Sequence, residues 1–173
     1  MGYTHDTQMS MFIAPSAIHK TAGTWTPTIA ANLPCDVRTA AAAAFTALIP
    51  IEIFSNAAAL KGARLKSIDV FYKVLTAALT DFATVELEKV TLPPPAAATG
   101  TAFTGASVTI TQDAFHNTAA LRKAVGDHTM TVTLTTPAWI DDNDAYVLEV
   151  ICDCAASSVF TFYGARANFD LRV

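Results

Sequence analysis

Charge is what this sequence has least of. Asp, Glu, Lys and Arg make up 15% of its 173 residues, where soluble domains ordinarily reach roughly 25%. At that share the chain would carry about 43 charged side chains; it has 15 acidic and 11 basic ones. Alanine (33 residues) and threonine (24) fill the difference. A neutral exterior of this kind can simply stay in water, but we read it as surface covered by other subunits. The net charge of −4 and the scatter of basic residues exclude nucleic acid as a partner, because such binding needs clustered Lys and Arg to displace counterions. The tightest basic group, Lys61, Arg64 and Lys66, is too small for that role.

Cysteine is scarce too. Three residues, Cys35, Cys152 and Cys154, do not make a disulfide framework. Cys152 and Cys154 fall on one face of an expected strand with parallel Cβ vectors, at the wide end of the disulfide range. Buried free thiols and a reducing compartment are the expectation. Met1–Asp6 lacks a basic stretch followed by an apolar one, so no secretory signal is expected. The long weakly charged window between Arg38 and Lys61 contains Pro50, Glu52, Ser55 and Asn56 near its middle. An acid at that depth costs about 2.5–3.5 kcal/mol on membrane insertion, and alanine offsets little of it. No membrane partner is expected.

Convincing helices are absent as well; the patterning that is there has period two. Ile68, Val70, Tyr72 and Val74 alternate with Ser67, Asp69, Phe71 and Lys73. Val85 and Leu87 alternate with Thr84, Glu86 and Glu88, and Met130, Val132 and Leu134 with threonines. Tyr146, Leu148, Val150 and Cys152 form a further set. Such alternation marks half-buried antiparallel strands. Further strands are expected over Phe45–Phe54, Ala106–Thr111, Ser157–Gly164 and Asn168–Val173, with one or two helical turns over Asn117–Ala124 capped by Asn117. The Pro93–Gly100 run is an exposed loop. Seven or eight strands separated by Gly, Pro and Asp/Asn turns predict an all-β fold, an antiparallel β-sandwich that is jelly-roll-like.

Residues 1–40 read differently, as an extended N-terminal arm ahead of a sandwich domain at 41–173. Pro15, Pro27 and Pro34 exclude a helix and central strands there. Met11, Phe12, Ile13, Trp25 and Ile29 are apolar anchors on that segment. They suit docking on a neighbouring chain or packing back on the same domain, and the sequence leaves both open.

No catalytic constellation emerges, and no enzyme is expected. There is no Gly-x-Ser-x-Gly elbow, P-loop or dinucleotide fingerprint. His116 and His128 flank one connection and could converge, but two histidines without a third ligand do not define a zinc site; turn packing is the expected role. Asp141, Asp142, Asn143 and Asp144 lack calcium-loop spacing and read as a turn. Glu86 and Glu88 read as a solvated strand face. No metal and no cofactor are expected.

Three runs carry a resemblance: Leu60–Tyr72 (LKGARLKSIDVFY), Asp127–Asp141 (DHTMTVTLTTPAWID) and Phe162–Phe169 (FYGARANF). Over roughly residues 60–173 the chain resembles Ala/Thr-rich β-domains of tailed-bacteriophage virion proteins, which serve as capsid decoration or cement proteins and as tail-fibre modules. The resemblance implies a structural protein on the capsid surface, assembled in the host cytoplasm. Its partners would be the major capsid protein and further copies of itself, in a homo-oligomer such as a trimer. The alternative is a tail-fibre or carbohydrate- and receptor-binding module, with Trp139, Phe162 and Tyr163 as a stacking platform.

Overall fold

The structure, a computed structural model, describes residues 6–52, 62–92, 104–137, 139–141 and 143–172. Twelve strands are described: β1 (Asp6–Ile13), β2 (His19–Lys20), β3 (Trp25–Ala30), β4 (Leu33–Arg38), β5 (Ala44–Ile51), β6 (Ala63–Leu75), β7 (Asp81–Thr91), β8 (Thr104–Val108), β9 (Ile110–Gln112), β10 (Gly126–Leu134), β11 (Asp144–Asp153) and β12 (Val159–Arg172). One short helix, α1 (Ala119–Arg122), lies between β9 and β10, capped by the Thr118 side chain. The cap is thus one residue later than the sequence pattern suggests.

Two antiparallel sheets pack face to face. One runs β3-β4-β12-β6-β10-β9, with β1 also pairing β12; the other runs β2-β5-β11-β7-β8. Eight of these strands, β4-β12-β6-β10 against β5-β11-β7-β8, give a jelly-roll-like sandwich. The period-two pattern fills the space between. Ile68, Val70, Tyr72, Val74, Met130 and Val132 point inward from the first sheet, and Ala47, Ile49, Leu87, Leu148 and Val150 meet them from the second. Each fully buried aliphatic side chain of this kind contributes about 1.5–3 kcal/mol.

Two segments depart from the sequence expectation. Ala106–Thr111 is not one strand: the chain leaves the five-stranded sheet after Val108 and enters the other at Ile110. Conversely, the two strands expected at the C-terminus are one, β12. Its pairing with β6 shifts between Phe162 and Gly164. One extra residue there exchanges the two faces, so Phe160 and Phe162 are buried before the bulge, and Ala165, Ala167 and Phe169 after it. Read without the bulge, the alternation breaks and suggests two elements. The Pro93–Gly100 run and the end of the Phe45–Phe54 run lie outside the described residues.

The N-terminal segment is extended and lies along its own domain. β1 pairs with β12 from Asp6↔Arg172 to Ile13↔Ala165, and β3 and β4 form a hairpin that joins β12 at Asp36–Arg38. β4 is therefore a strand of the sandwich, although it precedes the boundary expected at residue 40. Both prolines of this hairpin avoid a fully paired position: Pro27 is on the edge strand, and Pro34 lies beyond the part of β4 that meets β12. Buried polar contacts brace the segment internally and at its junction with the domain. Lys20 Nζ donates to Asp36 at 2.5 Å and to the Pro15 and Ile18 carbonyls at 2.7 and 2.9 Å. Arg38, wholly buried, donates to the Ala41 and Ala43 carbonyls, both at 3.1 Å.

At Gly164 the end of β1 lies close against β12. Its φ is +110°, and an added Cβ would lie 2.5 Å from the Ile13 carbonyl oxygen and 2.9 Å from the Phe12 ring. Both the backbone conformation and the contact require glycine. Gly164→Ala is expected to destabilise the fold by about 1–3 kcal/mol or more, seen as a lower midpoint in urea unfolding.

Candidate docking groove

The bulge at Gly164 also shapes the outer face of the seven-stranded sheet. The Phe12 ring lies over Gly164 and forms one wall of a groove of about 580 Å³. The opposite wall is the tip of the β3–β4 hairpin, with Ala30, Ala31, Leu33 and Pro34, and Phe71 and Tyr163 add aromatic surface. Ala31 and Asn32 both have positive φ (50° and 66°), the conformation of a two-residue hairpin turn whose twist matches the strands. That tight turn carries Leu33 and Ala30 to the groove. Leu33 is 55% exposed, Phe12 60% and Ile29 70%; Ile29, one residue before Ala30, sits on the other face of the hairpin. Lys73 and Asp127 are paired at 3.0 Å beside the groove.

The five apolar anchors of the N-terminal segment therefore separate. Phe12 and Ile29 are exposed and available for contact. Ile13 is in the core. Met11 and Trp25 pack half-buried against the core, with the Trp25 ring 5.1 Å from Phe45 and 6.0 Å from Phe162. The period-two parity of β1 places Phe12 outside and Ile13 inside, but Met11, Phe12 and Ile13 are apolar in succession, so that run alone does not say which of them faces the core. Leu33, Phe71 and the Ala30–Asn32 turn were not singled out by sequence; only the exposed side of a hairpin makes them a surface.

The aromatic residues of the alternative platform do not come together. Phe162 is buried in the core. Trp139 bridges to Arg64, which faces Asp170 on β12. Asp170 is seven residues along the strand from Tyr163, about 23 Å at ~3.3 Å per residue.

The other side-chain groups have structural partners. Asp144 accepts from Lys89 at 2.8 Å and from the Thr91 hydroxyl at 2.9 Å; Asp142 lies outside the described residues. Glu88 accepts from Ser107 on the neighbouring strand, and Glu86 faces Glu149 on the solvated side of the other sheet. Cys35, Cys152 and Cys154 are buried free thiols, and burial pushes Cys152 well above its ordinary value. No group of three or more His, Cys, Asp or Glu residues suited to a metal ion occurs among the described residues. Nor is any helix there long and apolar enough to cross a membrane. His116 and His128 do converge, with Nε2 of the first 3.2 Å from Nδ1 of the second. Compared with known protein families and with curated sequences, the chain matches none.

Next to the groove, the outer face is held by a polar cluster. Asp69 accepts from Arg166 Nε and Nη2 at 2.9 and 2.7 Å, from Thr131 Oγ1 at 2.8 Å and from Asn168 Nδ2 at 3.1 Å. Burial acts to raise the Asp69 carboxyl, but these hydrogen bonds outweigh it and hold it below its ordinary value of 3.8. Asp113, Asp144 and Asp170 are held low in the same way. A carboxyl with a depressed folded-state pKa adds stability above its unfolded value, near 3.9, and loses it as pH falls through the folded one. Stability against urea is therefore expected to fall below about pH 4, with a shallower slope in Asp69→Asn than in the native chain.

Proposed function

We propose that this chain is a non-enzymatic structural protein of a tailed-bacteriophage particle, a decoration or cement protein that stabilises the head through contacts between subunits. The observation that carries the reading is the pairing of a charge-poor exterior with two exposed apolar side chains, Phe12 and Leu33, that wall one groove. Monomeric domains seldom leave Phe and Leu at such exposure on one groove without using them. The resemblance of residues 60–173 to virion β-domains supports the same reading, as does the jelly-roll-like sandwich, an architecture used by viral capsid proteins among others. Jelly rolls also serve lectins and enzymes, so the fold alone does not select the function.

In this account the sandwich is a rigid mount and the groove is the contact. A capsid subunit inserts apolar side chains between Phe12 and Leu33, while copies of the chain meet one another through the neutral Ala/Thr surface. At ~25 cal/mol per Å², a few hundred Å² of apolar contact contributes several kcal/mol before the costs of association. Repetition over a symmetric shell multiplies that through avidity.

The test uses purified chain and assembled heads of the encoding phage. Phe12→Asp with Leu33→Asp changes exposed residues only, so the melting temperature should stay near that of the native chain. Retention on heads should fall by about tenfold or more, the equivalent of losing one strong contact. Equal retention of the double variant, or a native chain that stays monomeric and never binds heads, would overturn the reading.

A further inference from the structure

At one end of the sandwich, four groups form a continuous chain. His116 Nδ1 lies 2.9 Å from both carboxylate oxygens of Asp113, His116 Nε2 lies 3.2 Å from His128 Nδ1, and His128 Nε2 lies 2.9 Å from the Ala124 carbonyl oxygen. Both ends of this chain can only accept. Ala124 offers a carbonyl. Asp113 already accepts from the Phe115 and Thr131 backbone N–H groups at 2.9 and 2.8 Å. Those donors and His116 hold its carboxyl ionised despite partial burial.

The proton count follows from that. Three donor–acceptor gaps need three N–H hydrogens, and two neutral imidazoles carry one each. With both rings neutral, some pair of acceptors must face each other at 2.9–3.2 Å. An unmatched pair at that range costs free energy and opens the contact. One extra proton satisfies all three gaps at once.

We propose that His116 and His128 hold one stored proton, as a His116 imidazolium donating to Asp113 and to a neutral His128. That proton latches the connection between β9 and β10 onto the sheet. His128 in turn donates from Nε2 to Ala124, and Asp113 reaches across to Thr131 on β10, so removing the proton releases one link of a closed loop. A second proton would set two like charges on rings 5.3 Å apart. Burial first, and then the His116 charge, hold His128 below its ordinary value of 6.5, against the pull of Ala124 and Asp127.

The surrounding charges fit a single cation at this place. Arg122 on α1 gives its guanidinium hydrogens to the carbonyls of Phe82, His116 and Ala83. Asp127 on β10 is paired with Lys73 on β6. Tyr72 stacks on His128 at 4.6 Å, gives its hydroxyl proton to the Arg122 carbonyl, and is kept neutral by burial. Cys152 on β11 is neutral as well, and Asp81 on β7 holds the Phe82 N–H. The strands that floor the docking groove, around Phe71–Lys73 and Asp127–Thr129, carry Tyr72 and His128 on their inner side. Tyr72 and His128 also line the groove, so the latch borders it, but the latch does not depend on what the groove contacts.

Nitrogen-resolved NMR of the imidazoles in the intact chain tests this. At about pH 6.5 a free imidazole is half protonated. The expected spectrum shows His116 protonated on both nitrogens and His128 protonated on Nε2 alone. Two half-titrated rings, or two neutral ones, would overturn the proposal. In Asp113→Ala no acceptor faces His116 Nδ1, so two gaps remain and two neutral rings suffice; His116 should then be neutral at the same pH, and a His116 that stays cationic would also overturn it. If that variant does not fold, the native spectrum decides alone.

Discussion

The whole sandwich waits on its last strand. β12 lies in the interior of the larger sheet, pairing with β6 along one edge and with both β4 and β1 along the other. Neither the N-terminal segment nor β6 has its full set of backbone partners until residues 159–172 arrive. Contacts of this sequence separation make folding slow and cooperative, and they bind the two ends of the chain into one unit. The bulge before Gly164 lets one strand serve both neighbours. It switches which side chains face the core, and at the same residue it admits the Phe12 ring that walls the groove. Fold and candidate surface therefore share one backbone irregularity.

Strands with a strict inside–outside alternation were legible in the sequence. β6, β7, β10 and β11 follow the pattern because each has one face in the core and one in water, so every second residue reports its environment. What the pattern could not convey is anything that changes parity or sheet. The bulge in β12 divided one strand into two apparent ones, and the crossing at Thr109 merged two strands into one. The N-terminal segment hid its pairing for another reason: its prolines and short apolar patches fit an arm laid on a neighbour as well as one laid on itself. The pairing of β1 with β12, from Asp6↔Arg172 to Ile13↔Ala165, distinguishes the two, and pairing across such a separation has no local sequence signal.

The surface features divide the same way. Phe12 and Ile29 were visible as apolar residues on an extended segment, whereas Leu33 became part of a surface only through the turn at Ala31–Asn32. His116 and His128 could be seen to flank one connection. Asp113 had no such mark, being a single acid in a polar stretch. Its importance comes from accepting two backbone N–H groups while facing a histidine, and that is a tertiary arrangement.

The functional reading rests on an exterior with few charges and on the exposed Phe12 and Leu33 side chains at one groove, taken as a contact surface. Its most direct test is amide hydrogen exchange on the native chain, free and then bound to assembled heads. The account predicts that exchange slows on binding across β1 near Phe12 and across the β3–β4 hairpin from Thr28 to Leu33, while the outer face of the five-stranded sheet is less affected. Exchange that is the same with and without heads, at every one of these positions, would contradict it.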